Sequence, residues 1–167
     1  MAVEIRVFDR ADTQALAGAF EGIDPHKTAR LFEAYFEKQR AGAIVALVLY
    51  NGKLPLGYLT VWWGSPYPPF LAMGIPEIKD LIILPEHRRK GYGTLLMDRA
   101  ESTILQRSRT AGIGVGLYSD YGPAQRLYVR RGYVPDGNGL VYNYKAVVPG
   151  SAVRADDDLV LMFTKTL

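Results

Sequence analysis

Val3 to Phe8 alternates apolar and polar positions, the period of a strand half-buried in a sheet. Behind it, Leu16, Ala17 and Phe20 mark a short helical segment, and Asp24-Pro25 has the form of a helix start. From there to Gln39, Leu31, Phe32, Ala34, Tyr35 and Phe36 stand among charges, which predicts an amphipathic helix packed on a sheet. Two apolar runs, Ile44–Tyr50 and Leu56–Trp63, flank Asn51-Gly52-Lys53, a turn sequence that favours a hairpin and makes them antiparallel neighbours. Between Gly64 and Pro76, four prolines and two glycines stand among aromatic residues, predicting an ordered loop.

Ile78 to Leu84 is strand-like and Pro85 ends it. Tyr92, Leu95, Leu96, Ala100, Thr103 and Ile104 then recur at helical spacing, a helix of about four turns. Ile113–Tyr118 predicts a short strand despite its glycines. Pro123 stands where a helix begins and Gly132 where one stops, with Ala124, Leu127 and Tyr128 on one face between them. Leu140–Tyr144 and Leu159–Thr164 are the final strands, joined by a turn-rich link around Pro149-Gly150. The order is strand, helices, three strands, helix, strand, helix, two strands. Its strand-helix-strand unit makes part of the sheet parallel and the rest antiparallel, so the class is mixed α/β or α+β.

Composition narrows the picture. With 167 residues, 49% of them hydrophobic, the chain closes one sizeable core, and a single domain over residues 1–167 is expected. No stretch reaches the roughly 20 apolar residues that span a bilayer, and MAVEIRVFDR carries no apolar signal region, so a cytoplasmic protein without a membrane partner is expected. The absence of cysteine excludes disulfides, thiolate metal sites and a cysteine nucleophile. His26 and His87 have no carboxylate cluster at metal-ligand spacing, so no metal is expected. No serine stands at a strand-to-helix elbow of the kind serine hydrolases use. The net charge of +3 suits an anionic ligand as well as a nucleic acid, but the basic residues are scattered apart from Arg88 to Lys90, which argues against nucleic acid.

Those three cations belong to the segment that carries most chemistry. In Asp80-Leu81-Ile82-Ile83-Leu84-Pro85-Glu86-His87-Arg88-Arg89-Lys90-Gly91-Tyr92-Gly93-Thr94, a buried strand feeds a basic turn, two glycines and a helix. Glycine lets the backbone approach a ligand closely, and the unbonded amides of a helix start favour negative charge. These are the requirements for gripping a pyrophosphate. The turn lacks the Gly-Lys-Ser/Thr ending of a P-loop and the third glycine of a dinucleotide fingerprint.

Arg88-x-x-Gly91-x-Gly93 after an apolar strand ending in Pro85 resembles the acyl-CoA motif of the GNAT superfamily of N-acetyltransferases. Ala124-Gln125-Arg126-Leu127-Tyr128-Val129-Arg130-Arg131-Gly132-Tyr133 resembles the later helix of that superfamily, and the two motifs stand in the same order and separation. The resemblance covers the chain from about Glu77 to Tyr133 well and the flanks by element order. It implies a twisted, mostly antiparallel sheet with a central, splayed parallel pair, flanked by about four helices. It implies acetyl-CoA as co-substrate, with the amides of Arg89, Lys90, Gly91, Tyr92, Gly93 and Thr94 on the pyrophosphate, and Arg88 shaping the turn or bonding phosphate. Leu81, Ile82 and Ile83 would offer the strand along which the pantetheine arm lies, the backbone of Ile83 pairing with it. Tyr128 would be the acid that protonates the departing thiolate. Where the superfamily often has an asparagine contacting pantetheine, Tyr121 stands here, with Asp120 beside it to substitute.

Acyl transfer needs a neutral amine, whereas an alkyl ammonium has a pKa of about 10.4, so a base must take its proton. Asp80 and Glu77 are the best-placed carboxylates, and their odd separation puts them on opposite faces of a regular strand. A strand amide such as that of Ile83 would stabilise the oxyanion. The expected reaction is direct acetyl transfer to a primary amine in a ternary complex, by a monomer or homodimer. The alternative is an inactive acyl-CoA sensor. Trp62, Trp63, Tyr67 and Phe70 are either packing or the lining of an acceptor pocket, and Asp156-Asp157-Asp158 is expected to be a solvated turn.

Overall fold

The computed structural model describes residues 3–167. The elements run β1 (Val3–Val7), α1 (Asp12–Phe20), α2 (Ala29–Arg40), β2 (Ile44–Asn51), β3 (Leu54–Trp62), α3 (Pro68–Met73), β4 (Glu77–Ile83), α4 (Tyr92–Leu105), β5 (Thr110–Gly116), α5 (Gly122–Arg130), β6 (Val134–Tyr142), β7 (Lys145–Ala146) and β8 (Leu159–Thr166). The sheet order is β1-β2-β3-β4-β5-β8-β6-β7, a mixed α/β arrangement, mostly antiparallel, with β4 and β5 parallel. No helix among the described residues is long and apolar enough to cross a membrane.

Contacts divide the chain into two units. One runs through Trp62 and resumes over Lys79–Thr103; the other comprises Trp63–Ile78 and Ile104–Leu167. In the first unit, β2 is buried along nearly its whole length, as a strand covered on both faces must be. Its aromatic core gathers Phe8, Phe20, Phe32, Tyr35 and Tyr58, and the Tyr58 ring meets Phe20 and Phe32 edge-on at 5.7 and 5.3 Å. In α2, Phe32 and Tyr35, three residues apart, are the buried positions that carry this face. Gly57 of β3 lies against β4, where an added Cβ would fall 2.3 Å from the Ile82 carbonyl oxygen.

In the second unit, β5 alternates Ala111, Ile113 and Val115 with Gly112, Gly114 and Gly116. The glycine row admits bulky neighbours: a Cβ at Gly112 would sit 2.2 Å from the Phe70 ring, and one at Gly116 2.3 Å from the Tyr121 ring. The parallel pairing is short, Glu77 with Gly112 and Ile78 with Ile113, while β5 pairs with β8 along its full length.

Several boundaries differ from expectation. Helix α2 begins after Thr28, whose hydroxyl accepts the Leu31 amide at 3.3 Å; the segment from Asp24 is a turn closed by Lys27 N–H to Asp24 C=O at 3.1 Å. The proline-rich segment contains α3, with Pro68 at its start, left-handed Gly74 (φ 63°) at its end and Phe70 buried as its anchor. Strand β5 begins at Thr110 rather than Ile113, because pairing with β8 carries it through the glycines. Strand β6 begins earlier, at Val134, with an irregular register between Pro135 and Leu140, and β7 was not expected. Five α-helices are therefore present among the described residues, rather than about four.

Gly57→Ala is expected to lower stability by about 1–3 kcal/mol, since its methyl group meets backbone rather than a side chain that can turn away. Urea denaturation against the parent chain checks this.

Candidate active site

After β4, Pro85–His87 forms a short 3-10 turn, with His87 N–H to Leu84 C=O at 2.9 Å. Arg88 folds its side chain back so that Nε donates to the Ile83 carbonyl at 2.9 Å, a bond that braces the bend. Arg89 (φ 60°) and Gly91 (φ 81°) then adopt the left-handed conformation, and Arg88, Arg89, Lys90 and Gly91 are exposed. A Cβ at Gly91 would meet open space, so the glycine is needed for its backbone angle and not for room. The first bond of α4 is Leu95 N–H to Gly91 C=O at 3.1 Å, leaving the amides of Gly91, Tyr92, Gly93 and Thr94 outside the helical ladder. Together with Arg89 and Lys90 they make a corner, at the start of a 14-residue helix, whose amides and cations suit an anion.

The strand leading there is irregular. Asp80 has φ 54°, uncommon for a residue other than glycine, and it breaks the alternation of β4 as a bulge does. Lys79 lies over the Trp62 ring at 4.7 Å, with its carbonyl bonded by the Thr60 hydroxyl at 3.2 Å. The next residue, Asp80, accepts the Tyr35 hydroxyl from α2 and faces the Lys27 ammonium at 3.5 Å. Tyr58 lies beside this group. Its hydroxyl is buried without a hydrogen-bond partner, and burial, with Asp80 and Tyr35 nearby, pushes it well above the usual tyrosine range. Leu81, Ile82 and Ile83 are half-buried. Leu84 N–H bonds Leu56 of β3 at 2.9 Å, so the amide of Ile83, one residue back, points to the opposite edge of the strand.

In the second unit, Glu77 is 3% exposed and accepts the Ser65 hydroxyl at 2.5 Å. Tyr128, on α5, is buried, and burial raises its hydroxyl above the ordinary value. Pro123 opens that helix, and Gly132 (φ 88°) follows its end. The preceding turn is tied down at two points: Gln125 Nε2 donates to the Gly116 carbonyl at 2.8 Å, and the hydroxyls of Tyr118 and Tyr121 both donate to Asp157 Oδ1, that of Tyr121 at 2.8 Å. Asp120 is exposed. The Asp156–Asp158 segment is thus an acceptor of tyrosine hydroxyls rather than only a solvated turn, since Tyr142 donates to Asp156 at 3.0 Å as well.

Tyr67 and Phe70 are core residues, in edge-on contact at 4.9 Å; Phe70 also lines a cavity of about 240 Å³ with Met73, Ile75 and Asp136. No cluster of three histidines or carboxylates suited to a metal occurs among the described residues. Sequence reasoning missed Lys27, Tyr58 and Ser65, and gave Tyr35 only as a packing position and Asp157 only as part of a solvated turn; nothing in their local sequence marks these contacts.

The family model of the Acetyltransferase (GNAT) family matches residues 13–133. No curated protein matches the chain. Among solved structures, the N-acetyltransferase of Staphylococcus aureus Mu50 superposes with a TM-score of 0.73 at 17% identity, over 99% of both chains. The yncA protein of Salmonella typhimurium, solved with its cofactor acetyl-CoA, gives 0.72 at 16% identity, over 99% of this chain and 94% of that one. A dodecameric spermidine N-acetyltransferase of Vibrio cholerae gives 0.67 at 19%, over 98% and 93%. At such identities the likeness concerns the fold alone.

Asp157→Ala is expected to lower the pH at which Tyr121 and Tyr118 ionise. Desolvation still holds Tyr121 above the ordinary value of about 10, but the hydrogen bond and negative charge that favour the neutral phenol are gone. A pH titration of tyrosinate absorbance measures the difference.

Proposed function

The chain belongs to the GNAT family of acetyltransferases, and on that premise we propose that it moves an acetyl group from acetyl-CoA to a primary amine by direct transfer in a ternary complex. The observation that carries this reading is the exposed corner at Gly91: four amides outside the ladder, two cations and a left-handed glycine suit a diphosphate. The outward amide of Ile83 suits the amide groups of a pantetheine arm lying along β4 as an added strand. Acetyl-CoA supplies the activated thioester; the rest is done by side chains and amides of the chain.

Asp80 takes the proton of the acceptor ammonium. It is half-buried, and the Tyr35 hydroxyl orients it. Glu77 is the second carboxylate of β4, buried on the Ser65 hydroxyl. A strand amide of β4 offers a hydrogen bond to the oxygen that gains charge during attack. Tyr128 serves the leaving sulfur. Its raised pKa keeps the phenol protonated throughout the physiological range, and full proton transfer to a thiolate whose conjugate thiol has a pKa of about 8.5 runs uphill. It therefore acts first as a hydrogen-bond donor to the departing thiolate. Asp120 stands at the turn before α5 as a polar contact for the pantetheine arm.

Two measurements test the reading. Gly91→Val is expected to weaken CoA binding about tenfold or more by calorimetry, because a β-branched residue at φ 81° costs on the order of 1–2 kcal/mol and turns the corner amides away. Tyr128→Phe is expected to bind CoA as the parent does while its kcat, in a CoA-release screen across amines, falls about 10²-fold or more. A parent chain that binds CoA yet releases none with any amine would be a sensor instead.

A further inference from the structure

Lys27 does not behave as a surface lysine. The turn that presents it is fixed: Asp24 Oδ1 accepts the His26 amide at 2.9 Å, and the Lys27 amide reaches the Asp24 carbonyl at 3.1 Å. Its side chain, 12% exposed, runs inward, with the ammonium 3.5 Å from Asp80 Oδ1 and 5.9 Å from the centre of the Tyr58 ring. A lysine on a flexible four-carbon stem ordinarily keeps its charge in water, and a carboxylate at that distance offsets only part of the cost of withdrawing it. The Tyr58 hydroxyl, of the ring that the ammonium approaches, is buried without a hydrogen-bond partner.

The reading above sets an acceptor ammonium against the Asp80 carboxylate, and the chain already holds one there. We infer that Lys27 is itself an acyl acceptor, and that the chain acylates Lys27 in cis when acyl-CoA is bound and no external amine competes. This inference rests on the proposed function. Asp80 takes one proton from the Lys27 ammonium, and Nζ attacks the thioester carbonyl carbon. A C–N bond forms, the C–S bond breaks, and the sulfur leaves as thiolate. The second proton shed by nitrogen balances the one the thiolate takes up, and the proton on Asp80 passes to solvent. The net change is acyl-CoA and a lysine ammonium giving an N-acyl-lysine, CoA thiol and one proton. The product is a neutral amide that no longer forms the ion pair with Asp80, so acylation removes the cation from the acceptor place.

The test incubates the full chain with acetyl-CoA and no amine, following intact mass and peptide maps with time, alongside a calorimetric titration with CoA. One acetyl group per chain is expected at Lys27, ahead of the exposed Lys53 and Lys145, with a rate independent of protein concentration. Lys27→Arg, which keeps the cation and hence the ion pair, should lose that first acetyl group, and Asp80→Asn should slow it at least tenfold. If CoA binds but Lys27 is labelled no faster than Lys53, or at a rate that rises with protein concentration, the inference is overturned and the proposed function stands. If CoA does not bind, both fall.

Discussion

An α-helix cannot bond its own first amides, and where those amides point is settled by the chain that leads into them. Here that lead-in is over-determined. Pro85 fixes the exit from β4, the His87 amide closes a 3-10 turn on Leu84, and Arg88 spends its Nε on the carbonyl of Ile83. The backbone then needs two left-handed residues, Arg89 and Gly91, to bring α4 into place. Arg88, Arg89 and Lys90 are all exposed, and Arg88 is the one whose Nε is spent on the turn itself. The positive character of the corner thus has two sources, the backbone amides that the turn presents and the charged side chains, both screened by salt over about 8 Å.

Much of this corner was legible because its parts are contiguous: strand, proline, cations, glycines and helix follow one another within fifteen residues from Asp80 to Thr94. The hairpin of β2 and β3 and the helix α4 were legible for the same reason, since local turn chemistry and apolar period both speak for them. Helix α3 was not, because proline density reads as loop even when Pro68 occupies the one helical position that tolerates it. The true start of β5 was hidden by glycines whose purpose is to admit the rings of Phe70 and Tyr121, a tertiary requirement with no local sign. Contacts around the carboxylates were beyond reach. Asp80 meets Tyr35 across 45 residues and Lys27 across 53, while Glu77 meets Ser65 across 12.

The left-handed backbone at Asp80 explains why regular alternation misleads in β4. A strict period of two would send Lys79 and Asp80 to opposite faces. Instead, Lys79 covers Trp62, which Lys38 of α2 also approaches at 5.4 Å, and Asp80 reaches Tyr35 on the same helix. A positive φ at an aspartate costs little beside one at a β-branched residue, so this strand can place an aspartate where the regular period would not.

The turn before α5 departs from the superfamily pattern in a way that can be followed physically. Tyr121 packs its ring against Gly116 and commits its hydroxyl to Asp157, which Tyr118 also bonds; Gln125 takes the Gly116 carbonyl. A side chain so engaged has little left to offer a ligand. The polar groups that close this end of β5 are supplied by the chain itself, and they hold in place the helix that carries Tyr128. In the proposed reading, the contact an asparagine makes elsewhere is therefore shared by the exposed Asp120 and by β4, whose outward Ile83 amide is fixed by the same hydrogen bond from Leu84 to Leu56 that sets the strand. Part of the burden of gripping the pantetheine arm thus rests on the main chain, where a substitution cannot remove it without breaking the strand.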